Sequence, residues 1–397
     1  MSGRVVIIGH VYLSRLSIIR SVAETGCEII VIATSTPHAA GLLKRPVDSF
    51  SKYVSRFFYC DRKDPESLVR LLKERCAVPG QKVVVIPDGD DIVAALDDHR
   101  DELKDAFIFP YFVSEPASMR YWMEKTNQKE LAKQVGLNVA EGQVIDILEG
   151  AYSIPPDIRY PCFCKPLATM VGGKGGMRKC ACREDLTEAL EYIIQNRNKT
   201  ERVLVEDYKE IETEYALMGF SDGKEVIVPG ILEFLRESRA HTGIALQGRI
   251  VPVGGFEDLV EKFKSLVRRM GFVGMFDIDF FKSGGRFYFC EMNLRFGGSG
   301  YAYTRMGVNL PAMMARSLWG ETLDNYKKHI AGSAVFVNER MCLDDFSMGA
   351  LSWREYRSLQ KASGICFIPD SRDSGPARMY SLLAWRRRIA RELKHLF

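Results

Sequence analysis

Between Phe276 and Asn293 two strand-like runs face each other across a glycine turn, and their alternation leaves little freedom in how they pair. The first reads Phe276-Asp277-Ile278-Asp279-Phe280-Phe281 and the second Arg286-Phe287-Tyr288-Phe289-Cys290-Glu291-Met292-Asn293. Side chains on strands alternate faces with period two, so a slip by one residue would mix apolar with acidic positions. A three-residue loop at residues 284–286 sets Asp279 opposite Glu291 and Asp277 opposite Asn293. On the other face Ile278 then meets Met292, Phe280 meets Cys290 and Phe276 meets Leu294. One side packs, and the other gathers three carboxylates and an amide. Directly opposed like charges repel, so a cation must join Asp279 and Glu291. Oxygen donors without His or Cys suit a hard ion, Mg²⁺ before Ca²⁺, and a small set suits Mg²⁺ shared with phosphates. The alternative reading is a solvated acidic face neutralised by basic side chains such as Arg295.

Upstream, strand and helix patterns alternate. Strands are expected at residues 4–8, 28–33 and 82–87, and helices at 13–25, 65–75 and 91–105. That rhythm implies a parallel sheet covered on both faces, with its ligand crevice at the carboxyl ends of the strands. Gly9 and the run Asp88-Gly89-Asp90-Asp91 fall at such ends. The G-x-G-x-x-G fingerprint of dinucleotide binding is missing after Ile8, which argues against a dehydrogenase. From about residue 115 the pattern changes: a helix over 116–136 with Lys125 in its middle, then short strands at 162–165, 176–182, 203–208, 215–220 and 226–232, and a helix at 256–270. The fold class is therefore α/β plus α+β. The boundaries drawn are 1–114 for a Rossmann-like unit, 115–320 for a second domain with a lid over about 160–207, and 321–397 for a mixed segment ending in a basic amphipathic helix.

The stretch Val171-Gly172-Gly173-Lys174-Gly175-Gly176 joins two of those strands. Glycines around a lysine permit close backbone approach to an anion, and successive N–H groups form a phosphate nest. Taken alone, a bare hairpin fits as well; with Lys165 on the preceding strand and Lys125 upstream, a phosphate lid fits better. It is not a Walker A loop, since no Ser/Thr follows Lys174. Glu206, Asp207, Tyr208 and Glu214 suit adenine and ribose, or equally a solvated surface. Arg236, Arg239 and His241 suit a substrate carboxylate, and Asp88 and Asp90 a substrate ammonium, each against the alternative of a solvated loop. Cys162-x-Cys164 and Cys180-x-Cys182 admit a zinc site but read better as packed small side chains.

Together these residues resemble the ATP-grasp superfamily of carboxylate–amine ligases over roughly residues 4–310. The carriers are Glu124-Lys125, Lys165-Pro166, the glycine lid, Glu206-Asp207-Tyr208 with Glu214, Asp277-Ile278-Asp279, and Glu291-Met292-Asn293-Leu294-Arg295. Leu294 departs from the small residue or proline common before that arginine. The resemblance implies a Rossmann-like domain ahead of an ATP-grasp fold. It implies ATP phosphates on Lys125 and Lys165, a lid of Gly172, Gly173, Lys174, Gly175 and Gly176 over the γ-phosphate, adenine at Glu206, Asp207 and Tyr208, and ribose at Glu214. It implies Mg²⁺, or Mn²⁺ in its place, on Asp279, Glu291 and Asn293 with Asp277 nearby, and Arg295 stabilising the acyl phosphate. The implied reaction joins a carboxylate to the amine of an amino acid or peptide with release of ADP and phosphate. A carboxylating enzyme and a non-catalytic nucleotide-binding subunit are the alternatives. Pro87-Asp88-Gly89-Asp90 looks like the branch holding D-aspartate ligases and amino-acid ligases.

The formal net charge is +4, and the last fourteen residues supply all of it. The remainder is neutral, which argues against a broad nucleic-acid surface. Ten cysteines in 397 residues are too few for a disulfide framework, and no apolar run reaches the ~20 residues of a membrane span. A cytoplasmic protein acting on small molecules is expected, and the stripe Leu382, Trp385, Ile389, Leu393 and Leu396 would seat the C-terminal helix on its own domain, on the second subunit of a homodimer, or on an anionic membrane surface.

Overall fold

Residues 5–9 are apolar without alternation, as a strand buried on both faces must be. In the computed structural model, which describes residues 3–34, 45–147, 151–167, 177–195, 201–241 and 243–394 (side chains of 392–394 excepted), they lie in β1 (Arg4–Gly9) at the centre of a parallel sheet. Its neighbours are β2 (Glu28–Thr34), β3 (Val54–Cys60), β4 (Val83–Asp88) and β5 (Phe107–Ile108), in the order β3-β2-β1-β4-β5. The reversal of winding at β1/β4 opens a crevice beyond Gly9 and Asp88. Val5 and Ile7 pack on the side of α1 (Tyr12–Val22), whereas Val6 and Ile8 meet Leu68 of α2 (Pro65–Leu71) and Leu96 of α3 (Asp90–Asp98).

The expected helix over 116–136 is two helices. Glu124 is extended (φ −77°, ψ 123°) and caps α4 (Lys125–Gln134), so Lys125 opens a helix instead of sitting mid-helix. A four-stranded antiparallel sheet follows, formed by β6 (Gly142–Asp146), β7 (Cys162–Pro166), β8 (Arg178–Cys180) and β9 (Arg202–Asp207) in the order β8-β7-β9-β6. Helix α5 (Arg183–Gln195) covers one face, burying Leu186, Leu190 and Ile193 against Cys162, Cys164 and Cys180. The thiols are packing groups, as the sequence favoured. Lys174 and Gly172, Gly173, Gly175 and Gly176, expected as the lid, lie outside the described residues.

The largest sheet carries β10 (Thr213–Asp222), β11 (Ile231–Glu237), β12 (Ala245–Val251), β13 (Phe272–Ser283), β14 (Arg286–Asn293) and β15 (Ala334–Val337). The strand expected at 226–232 is split, Val226–Ile227 pairing with β10 before β11 begins at Ile231. Pro229 has no N–H for the ladder, so the break falls there. Helix α6 (Glu257–Met270) seats Phe263, Leu266 and Val267 on this sheet beside Phe276, Ile278 and Phe280. Helices α7 (Glu339–Ser347) and α8 (Ser374–Lys394) complete the chain. Of the expected stripe, Leu382 and Trp385 are 38% and 58% exposed and Ile389 is half-buried, the buried positions being Tyr380 and Ala384 instead; the side chains of Leu393 and Leu396 lie outside the described residues. Arg387 reaches Asp344, and Arg391 donates to the carbonyls of Phe346 and Leu351. Among the described residues no helix is long and apolar enough to cross a membrane.

Candidate active site

The β13–β14 ribbon sets Asp279 opposite Glu291 and Asp277 opposite Asn293, with Ile278 against Met292 on the buried face. The route to that pairing differs from expectation. The turn holds two residues, Gly284 and Gly285, both at positive φ, and Ser283 pairs with Arg286. The odd residue sits further along, where the register shifts between Asp279 and Phe280, leaving Phe280 opposite Phe289 and Cys290 bulged out. A bulge adds one residue to one strand, as a longer loop would, so both arrangements put the acids on the same face. Cys290 thereby turns from the packed side into a cavity of about 470 Å³.

That cavity lies between the four-stranded sheet and the large sheet. The first contributes Phe163, Lys165 and Glu206, the second Glu214, Asp279 and Glu291, and α4 contributes Lys125. Asp207 and Tyr208 also line it. Lys125 Nζ lies 2.9 Å from Glu291 Oε2. Lys165 Nζ donates to Glu206 Oε1 at 2.5 Å, and Lys129 binds the other oxygen of that carboxylate as well as the carbonyl of Ala140 at 3.1 Å. Burial alone would push the Glu206 carboxyl up, but Lys165 and Lys129 outweigh it and hold the group below the usual carboxylate range. Glu291 shows the same balance, with Lys125 as the decisive neighbour. Burial, reinforced by Lys165, lowers Lys129. Before any anion arrives, the cationic wall is thus neutralised by the acids it faces.

Asp279 accepts from Asn293 Nδ2 at 3.2 Å. Asp277 is buried, and its Oδ1 has no hydrogen-bond partner among the described residues. It lies so close to Gly297 that a Cβ there would meet its Oδ2 at 2.2 Å. Arg295 donates from Nε to Asp90 Oδ1 at 2.9 Å and from an Nη to Asn293 Oδ1 at 3.4 Å. It therefore stands between the acidic ribbon and a second cavity, of about 330 Å³, at the carboxyl edge of the N-terminal sheet. Asp88 and Asp90 line that second cavity. Asp88 accepts from Ser14 Oγ at 2.7 Å.

Arg236, Arg239 and His241 line neither cavity. His241 lies 3.1 Å from Asp344, and the backbone N–H of Arg239 donates to Asp345. Arg236 acts on the charges of Cys342 and Glu355. Asp207 is held by Arg159 at 2.9 Å, and Tyr208 lies under Lys179, 4.1 Å from the ring centre. Two features of the site escaped the sequence reading, Lys129 buried behind Glu206 and Cys290 in the cavity lining. Lys129 was not singled out, although its i, i+4 spacing from Lys125 makes a like-charge pair that needs counterions. Cys290 was assigned to the packed face.

Among the described residues no three His, Cys, Asp or Glu side chains are arranged to hold a metal ion by themselves. Two carboxylates and an amide carbonyl at Asp279, Glu291 and Asn293 are nonetheless the hard-oxygen set that suits a Mg²⁺ completed by water and phosphate. Two sheets clasping a cationic cavity with acids on its floor, behind a doubly wound domain, define the class: an ATP-grasp protein. The chain belongs to the family described as carbamoyl-phosphate synthase L chain, ATP binding domain, which matches residues 124–326. It is 27% identical over 226 residues to the carbamoyl phosphate synthase large chain of Agathobacter rectalis, covering 55% of this chain and 20% of that protein. The chain thus spans about a fifth of the length of that curated relative. Among solved structures it is similar to the N5-carboxyaminoimidazole synthetase from Staphylococcus aureus (TM-score 0.63, 16% identity, 89% of this chain and 87% of that one). It is also similar to the L-amino acid ligase from Bacillus licheniformis (TM-score 0.59, 14% identity, 84% and 79%).

Proposed function

We propose that the protein is an ATP- and Mg²⁺-dependent ligase that activates a carboxylate as an acyl phosphate and joins it to the amine of an amino acid or peptide, releasing ADP and phosphate. The proposed reaction is that of the D-aspartate ligase and amino-acid ligase branch, a reading supported by the resemblance of Pro87-Asp88-Gly89-Asp90. The observation that carries the reading is Asp279 and Glu291 paired on the floor of a cavity whose wall presents Lys125 and Lys165. A carboxylate is a poor electrophile, and transfer of the γ-phosphoryl group gives it a leaving group. Such transfer needs positioning and charge neutralisation more than a protein nucleophile.

Each residue then has a task. Lys125 and Lys165 leave Glu291 and Glu206 to meet the α- and β-phosphates. Glu206 keeps Lys129, so its buried charge stays paired. Asp207, Tyr208 and Glu214 border the adenine and ribose, and Lys174 with residues 172–176 covers the γ-phosphate against water. Asp279, Glu291 and Asn293, with Asp277 behind them, would hold the Mg²⁺, which would supply charge neutralisation at the transferred phosphate. Arg295 faces the charge that develops on the acyl phosphate.

The likeness to a carboxyaminoimidazole synthetase supports a second reading, carboxylation with bicarbonate. Purified protein is incubated with ATP and Mg²⁺ plus amino-acid pools, or plus bicarbonate, and phosphate release is measured with hydroxylamine present. A hydroxamate formed from an organic acid is the expected result. Bicarbonate-dependent release alone would favour the second reading, and ADP binding without release in either arm a binding subunit. Glu291→Ala is expected to lower kcat by at least ~10³ with the far-UV spectrum unchanged; retained turnover would refute the assigned metal site.

A further inference from the structure

The second cavity contains charges that the nucleotide site does not use. It is lined by three carboxylates, Asp88, Asp90 and Asp91, and three guanidinium groups, Arg62, Arg295 and Arg340. Two pairs cancel within the wall: Arg295 with Asp90 at 2.9 Å, and Arg62 with Asp91 at 2.5 Å. Asp88 and Arg340 are left. Asp88 is 5% exposed, and while its Oδ1 takes the Ser14 hydroxyl, its Oδ2 has no hydrogen-bond partner among the described residues. Arg340, in the first turn of α7, lies 6.0 Å above the centre of the Tyr12 ring and approaches Asp344 at 3.7 Å, a carboxylate that already faces Arg387 at 2.5 Å and His241 at 3.1 Å, so it has no close carboxylate of its own. The remaining lining adds no competing charge: burial, with Arg62 next, pulls the His10 imidazole down and keeps it neutral.

One carboxylate oxygen without a partner and one guanidinium with only a shared, long carboxylate contact in the same small cleft specify a ligand with both charges. We propose that this cleft binds the amine substrate as a compact zwitterion, its ammonium group on Asp88 and its carboxylate on Arg340. The inference rests on the ligase reading above and deepens it by naming the class of acceptor. A buried carboxylate oxygen without a partner is costly, and an ammonium N–H supplies the charge-assisted bond it lacks. A planar guanidinium matches a carboxylate in two parallel hydrogen bonds. A polyamine would leave Arg340 unmet, and a dicarboxylate would crowd Asp88 with like charge. At about 330 Å³ the cleft is at the small end of the ~300–1,000 Å³ range of ligand sites, which suits a single amino acid. Arg295 reaches from this cleft to Asn293 on the acidic ribbon, so a nitrogen held at Asp88 is on the side of the reacting centre.

The test uses the full chain without nucleotide. Isothermal titration is run with free L- and D-amino acids, with the N-acetyl and amide derivatives of each, and with spermidine and succinate as probes that carry charge of one sign only. At least one free amino acid is expected to bind, its N-acetyl and amide forms at least tenfold more weakly, and spermidine and succinate not at all. Asp88→Asn and Arg340→Ala are each expected to weaken the free amino acid at least tenfold and to leave the Kd for ADP unchanged. Arg340 is partly exposed, so its replacement is expected to leave the fold intact, checked by the far-UV spectrum, and that arm stands if Asp88→Asn misfolds. Failure of every free amino acid to bind, derivatives binding as tightly as their parents, or an Arg340→Ala protein with full affinity overturns the proposal. Amino-acid binding without ADP binding would instead sink the ligase reading and leave the cleft assignment standing.

Discussion

Asp88 shows how one side chain can work against the fold it belongs to. Burial pushes its carboxyl up to about 6 from an ordinary value of 3.8, the Ser14 hydrogen bond and the nearby arginines recovering only part of the loss. The unfolded chain therefore releases this proton first as pH rises. The destabilisation is absent below about pH 4, grows up to about pH 6 and persists above it. Asp88→Asn keeps an acceptor for Ser14 and removes the charge. It is expected to raise stability by about 2–3 kcal/mol at pH 8 relative to its effect at pH 4, read from urea midpoints at the two pH values. An equal effect at both would mean that the carboxylate finds a partner in solution. That Lys125, Lys165, Asp279 and Glu291 meet at one cavity was legible because strand parity is a local signal. Arg340 and His10 were not, since only the fold brings them to the edge of β4.

Among the elements, the β13–β14 ribbon carries the clearest lesson. Its pairing at Asp279 and Glu291 was readable from alternation, but the position of the odd residue was not, because a three-residue turn and a bulge preserve the same parity. The structure uses Gly284 and Gly285 at φ 56° and 74° as a two-residue turn. Two positive φ angles make the type I′ geometry that favours Asn-Gly. Gly284→Asn is accordingly expected to be neutral or stabilising by up to ~0.5 kcal/mol, and Gly285→Val to cost about 1–2 kcal/mol, both measured by chemical denaturation. If Gly285→Val proved harmless, the bulge at Cys290 would have to move into the turn. Elsewhere the misreadings have similar causes. Val54–Cys60 mixes polar and aromatic residues because it is an outer strand with only Cys60 fully buried. The helix break at Glu124 has no proline or glycine to announce it.

At the scale of the whole molecule, the doubly wound first third was legible from its buried runs, but the contacts that tie it to the end of the chain were not. One continuous core joins Ile18 and Ile19 of α1 to Phe367, Tyr380 and Ala384. Within it Arg20 donates to Asp373 Oδ2 at 2.9 Å and to the carbonyls of Phe367 and Asp373 at 2.6 and 2.9 Å. Asp373 in turn accepts from Ser51 Oγ and the N–H of Lys52. Both charges are almost fully buried, with side chains 2% and 0% exposed. Removing one partner leaves the other uncompensated, so Asp373→Ala is expected to cost about 3–5 kcal/mol. Replacing both with apolar groups of similar volume leaves no orphan charge. The Arg20→Met, Asp373→Leu double variant should therefore lose less than the sum of its two single changes, a coupling of ~1–3 kcal/mol in urea unfolding followed by far-UV circular dichroism. A small cost for Asp373→Ala with a separate early transition would show the C-terminal segment unfolding by itself. A large cost in a single transition would make that segment part of the unit that positions β1 and β4, and through them the cleft at Asp88.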